Sequence, residues 1–151
     1  MGSRLIAVLN DLAETSKDSE RDFRKAAGET LSRQLRPLFT SRANDCSHDA
    51  LELGDIVARL GGRPHTHGTL TGALHRGWLD LRTVFAARDD REIIEERTKG
   101  EELARKHYRE ALDEDLPADV RLIVERQYRG VLYNHARLDE LRVRYTLPLN
   151  H

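Results

Sequence analysis

The stretch ARLGGRPHTHGTLTGALHRGWLDLRTVFAARDD, residues 58–90, decides how the rest of the chain can be arranged. It begins in the last turn of a long amphipathic segment, which Gly61-Gly62 stops, with Pro64 just beyond. Glycine accepts the left-handed backbone of a helix end, and proline cannot continue the hydrogen-bond ladder. After a loop over residues 62–68, Thr69 can cap a shorter helix with apolar residues at helical spacing: Leu70, Leu74, Trp78, Leu81 and Phe85. As a helix, residues 69–87 would run about 28 Å at a rise of about 1.5 Å per residue. Asp89 and Asp90 then open a further helix, and Asp89 with Glu92 has the spacing of a capping box. The stretch therefore leaves one long helix, travels the length of a bundle and starts another.

Working outward, each flank holds two helical stripes. The first helix carries Leu5, Val8, Leu9, Leu12, Ser16, Glu20, Phe23 and Ala27, with Ser3 as N-cap and Gly28 near its end. The polar run from Thr15 to Ser19 predicts a kink. The second carries Leu35, Leu38, Phe39, Arg42, Cys46, Asp49, Ala50, Leu53, Val57 and Leu60. Ser32 can cap it, and Pro37 is tolerated only in its first turns. Downstream, one stripe is Ile93/Ile94, Thr98, Glu101, Ala104, Tyr108 and Ala111/Leu112. The last helix starts at Pro117 and carries Val120, Val124, Gln127, Val131, His135, Leu138 and Leu141. Residues 145–151, with Pro148, predict a frayed tail. The expectation is an all-α single domain over residues 1–144. Two helical hairpins joined by a long crossover containing a fifth, shorter helix make a ferritin-like four-helix bundle rather than an up-down-up-down one.

Composition narrows the function. Of 151 residues, 38% are hydrophobic and 34% charged, which suits helices with long charged outer faces. The net charge of −1 offers no footprint for nucleic acid or an anionic membrane. Cys46 is the only cysteine, which excludes a disulfide framework or a thiolate zinc site within one chain and fits a reducing compartment. Asn10 and Asp11 interrupt the apolar run Leu5 to Leu9, so no signal-peptide core forms, and no stretch is long enough to span a membrane. The expected location is cytoplasmic.

Three runs, LNDLAETSKDSERDFRKAAGE (9–29), ARLGGRPHTHGTLTGALHRGW (58–78) and LPADVRLIVERQY (116–128), resemble a bacterial family of ferritin-like four-helix-bundle proteins whose function is not established. The resemblance extends from about Leu5 to Arg142 and implies the same bundle. It also implies an acidic residue three positions before Glu101, where this chain has Thr98.

Ferritin-like two-metal sites take one Glu from each of two helices and Glu-x-x-His from each of the other two. Iron accepts carboxylate and imidazole, and the i, i+3 spacing puts both on one helix face. If the crossover makes the second and third long helices parallel, Glu20 and Glu101 lie within about 1.5 Å in depth. The same depth on the second helix reaches Asp45-Cys46-Ser47-His48, an acid-x-x-His. On the fourth it is expected to reach Gln127 and Tyr128, with Glu125 one turn away and a tyrosine where histidine would be wanted. His135 faces inward, two turns from that level and nearer Thr98.

The metal candidates are thus Glu20, Asp45, His48, Glu101, Glu125 and His135, holding iron or another divalent metal. Such a centre would support ferrous oxidation or peroxide detoxification under stress, and the chain would then be a di-metal carboxylate oxidoreductase. Each residue also has a structural reading. Glu20 and Glu101 could line a solvated flank, Asp45 and His48 could be surface polars, and Glu125 could pair with Arg121 or Arg129. His135 could be a core histidine bonded to Thr98 or Tyr108. On those readings the protein holds no metal and acts as an interaction or scaffold bundle. Exposed Leu147 and Leu149 leave homo-oligomerisation open.

Overall fold

The computed structural model describes residues 2–65 and 89–146, excepting the side chain of Thr146. Within them lie α1 (Gly2–Glu29), α2 (Leu35–Arg59), α3 (Asp90–Leu112) and α4 (Ala118–Thr146). The crossover helix expected over residues 69–87, with Trp78, lies outside the described residues, as do residues 147–151 of the tail. The first part of that tail, through Thr146, continues α4.

Sequence signals set most of the ends. The Ser32 hydroxyl accepts from the backbone N–H of Gln34 and Leu35 at 3.2 and 3.1 Å, covering donors that the first turn of α2 leaves open. Gly61 adopts φ 84°, its N–H bonding to the Ala58 carbonyl while the Gly62 N–H reaches Val57. That is the double bond pattern of a left-handed helix end, which glycine enters without a Cβ clash. Asp89 caps α3 by accepting from the Arg91 N–H at 3.0 Å. One expectation is corrected: helix α1 already includes Ser3, so Ser3 is not its N-cap. The polar run from Thr15 to Ser19 lies within the continuous helix. Thr15 bonds back to the Asp11 carbonyl at 3.0 Å and Ser16 is buried in the bundle, so both hydroxyls are satisfied in helical geometry.

Side-chain pairs give the arrangement. Thr30 donates to Asp90 at 2.5 Å at one end, and Arg4 pairs with Glu114 at 2.9 Å at the other. Helices α1 and α3 are therefore antiparallel neighbours. Since α1 and α2 form a hairpin, α2 and α3 run parallel, the ferritin-like arrangement expected from the crossover. Helix α4 lies beside α2 through Gln127 and Arg126, which both bond Glu52.

Two apolar clusters fill the interior. One gathers Leu9, Leu12, Leu53, Val57, Val120 and Val124. The other gathers Phe23, Phe39, Leu35, Ile93, Ile94 and Leu138, with the Phe23 and Phe39 rings 6.1 Å apart. Between them runs a band of buried polar side chains.

Candidate metal centre

The polar band is built from all four helices. From α3, Glu101 is fully buried (0% exposed) and its Oε2 accepts from Arg42 Nε of α2 at 3.2 Å and Asn134 Nδ2 of α4 at 2.8 Å. Two turns along α3, Tyr108 donates to Gln127 Oε1 of α4 at 2.7 Å and lies 3.0 Å from Ser16 Oγ of α1. Gln127 continues the network to Glu52 Oε1 at 2.9 Å. A buried charge is tolerated only when paired and hydrogen-bonded, and the guanidinium of Arg42, itself 5% exposed, supplies that pairing. One atom is left over: Glu101 Oε1 is buried and has no partner among the described residues.

Burial shapes the chemistry here. It pushes the Cys46 thiol up to about 12, so the side chain is a neutral, inert packing group rather than a thiolate. It likewise holds the Tyr108 phenol above its usual range. Asp49, half-buried, is pushed up to about 7, first by desolvation; the Arg42 charge works against that rise.

The six sequence candidates have separate fates. Glu101 is at the centre. Glu20 lies at its depth, bracketed by the Ser16–Tyr108 and Asp22–Arg97 pairs. Yet its carboxylate is on the flank of α1, paired with Lys17 at 3.4 Å and Arg24 at 2.9 Å. Asp45 and His48 are exposed on α2. Glu125 is half-buried on α4, nine residues from the Asn134 that reaches Glu101. His135 is half-buried, with Nε2 2.8 Å from Glu102 Oε2; its partner is neither Thr98 nor Tyr108. Thr98 instead donates to the Ile94 carbonyl at 2.7 Å.

The fourth-helix register departs from expectation. Asn134, not Gln127 or Tyr128, meets Glu101, and His135 is beside that level rather than two turns away. Helices α3 and α4 run antiparallel from a short turn, so the two turns from Tyr108 to Glu101 are matched by two from Gln127 to Asn134. Arg42, Ser16, Tyr108 and Gln127 were all visible on apolar stripes. An arginine on such a stripe was the overlooked signal, because it announces a buried carboxylate elsewhere. Asn134 gave no signal: after Val131, helical spacing permits position 134 or 135 as the next inward residue.

A two-metal carboxylate centre needs several carboxylates and imidazoles converging on one point. What converges on Glu101 is a guanidinium and an amide, with the Cys46 thiol one turn from Arg42. A guanidinium stays protonated and has no lone pair to offer a metal. Among the described residues, no group of three or more His, Cys, Asp or Glu side chains could hold a metal ion. The described residues therefore do not fit a two-metal centre.

Four long helices, a parallel α2–α3 pair and a central polar band define a ferritin-like bundle. In agreement, the crystal structure titled as ferritin like, diiron-carboxylate proteins from Bacillus anthracis str. Ames matches with a TM-score of 0.73 at 23% identity, over 93% of this chain and 96% of that one. The family described as "Domain of unknown function (DUF2383)" matches residues 4–114, and the chain belongs to it. Comparison with curated proteins yields no match.

Proposed function

We propose that this protein is a ferritin-like bundle that works without a two-metal centre, as an interaction or scaffold protein. The observation that supports this is the buried pair between Arg42 and Glu101 at 3.2 Å. The guanidinium supplies internally the positive charge that a buried carboxylate requires, and its planar group stands against the one carboxylate at the centre. No helix among the described residues is long and apolar enough to cross a membrane. The test is elemental analysis of protein produced with iron under anaerobic conditions, alongside Glu101→Ala. Neither protein should carry stoichiometric metal. About two irons per chain, lost in the variant, would overturn the proposal.

One observation favours a second reading. Glu101 Oε1 is buried without a partner among the described residues, as a ligand atom awaiting a cation would be. On that reading the bundle takes up iron or a similar divalent metal at Glu101. The outlying candidates Glu20, Asp45, His48, Glu125 and His135 would have to reorient to contribute, and ferrous oxidation or peroxide detoxification would be the activity to assay. The same experiment separates the two readings.

A further inference from the structure

Among the described residues, the Arg42 side chain makes a single hydrogen bond. Its Nε donates to Glu101, while Nη1 and Nη2, with four N–H donors between them, bond to nothing among the described residues. Leaving such donors dry would be costly, but Arg42 also lines a cleft of about 470 Å³ between α2 and α4 that opens to solvent. The cleft floor is Arg42 and Asn134, both anchored to Glu101. One wall carries Ser41 and Asp45, and the other Tyr133 and Arg137. Pro37 and Leu38 give it an apolar side.

Gly130 completes the opening. A Cβ there would meet only Arg42 Nη1, at an ordinary 3.7 Å, so helix packing does not demand glycine at this point. Glycine costs an interior helix about 1 kcal/mol relative to alanine. Without a Cβ there, Arg42 (5% exposed as a whole residue) keeps Nη1 3.7 Å from that empty position.

We propose that the α2–α4 cleft is a binding site for a small organic monocarboxylate with an apolar body. Glu101 acts as the positioning residue, holding Arg42 by Nε so that its Nη edge is presented end-on. A carboxylate matches that edge with two parallel charge-assisted bonds. Arg137 adds a second positive charge at the wall, and Pro37, Leu38 and the Tyr133 ring receive the apolar part. Glu101 behind the guanidinium and Asp45 at the rim offset the two arginines, which favours a singly charged ligand over a phosphate dianion. The cleft volume lies within the range of small-molecule sites.

The experiment is a titration of the full chain, in metal-depleted buffer at neutral pH, with octanoate and benzoate against 1-octanol and benzyl alcohol. Backbone amide shifts and calorimetry are the readouts. Saturable carboxylate binding is expected, with shifts around Arg42 and Gly130, and at least tenfold weaker binding of the alcohols. Gly130→Leu, which puts an apolar side chain over the fork, should abolish binding, with circular dichroism confirming that the bundle stays folded although the covered donors lower its melting temperature; Arg42→Gln should weaken binding at least tenfold. Absence of saturable carboxylate binding overturns the proposal. So does equal binding of the alcohols, or binding that survives Gly130→Leu. Should Arg42→Gln fail to fold, Gly130→Leu carries the test alone.

Discussion

Glu20 and Glu101 sit at one depth of the bundle and live in different media. On the flank of α1, the Glu20 carboxylate has two basic neighbours from its own helix, Lys17 and Arg24, and access to water. In the centre, Glu101 has no water-facing side and relies on one guanidinium and one amide from two other helices. A carboxylate on a flank is cheap to keep and cheap to lose. A carboxylate in the centre organises what surrounds it, because every charge brought inside must be matched.

The largest break in that comparison is removal of the central partner. Glu101→Gln leaves Arg42 buried without its counter-charge and should cost about 3–5 kcal/mol in denaturant unfolding. Arg42→Met combined with Glu101→Leu should recover most of that loss, since an apolar pair of similar size restores packing without charge. If the single and double variants lose equal stability, the pair is not what makes the centre sensitive.

Tyr108→Phe tests the band two turns away. It strips the hydrogen bond from buried Gln127 Oε1 and should cost about 1–3 kcal/mol. A smaller loss would mean that Gln127 finds another donor.

Asp49 sharpens the comparison by titration. It is faced by Arg42, Glu52, Asp45 and Arg126, and burial lifts it from 3.8 in the open chain to about 7. A carboxyl with a raised folded value binds more protons when folded, so its stabilising share is complete below the open-chain value. Stability should then fall as pH rises from about 4 to about 7. Asp49→Asn should flatten that slope in unfolding curves measured across the window.

The smallest effect belongs to the flank. Glu20→Gln should cost at most about 1 kcal/mol, because its ion pairs are partly solvated and local to one helix. Calorimetric melting that drops by as much as for Glu101→Gln would erase the distinction between flank and centre.

The fold was legible because it rests on local signals. Ser32, Gly61, Asp89 and Pro117 mark helix ends through their own backbone chemistry, and the apolar stripes between them repeat at helical spacing. The candidate site was legible only in part. Glu101 and its depth relative to Glu20 followed from counting along helices. The direction of the Glu20 carboxylate did not, because a residue on the edge of a stripe can turn either way. Arg42 was in plain view on its stripe, but its role required knowing that Glu101 would arrive from the diagonal helix.

What the sequence by itself determined is the four long helices, most of their ends, and the two-hairpin plan, since caps, glycines and periodicity act within a few residues of themselves. The tertiary structure alone decided that Asn134 rather than Gln127 meets Glu101, and that Arg42 stands where a metal centre would need ligands. It likewise decided that Arg42 and Gly130 line one cleft between α2 and α4. Those outcomes depend on side chains from different helices meeting at one level, and on the rule that a buried charge must be paired by whatever the packing brings within reach.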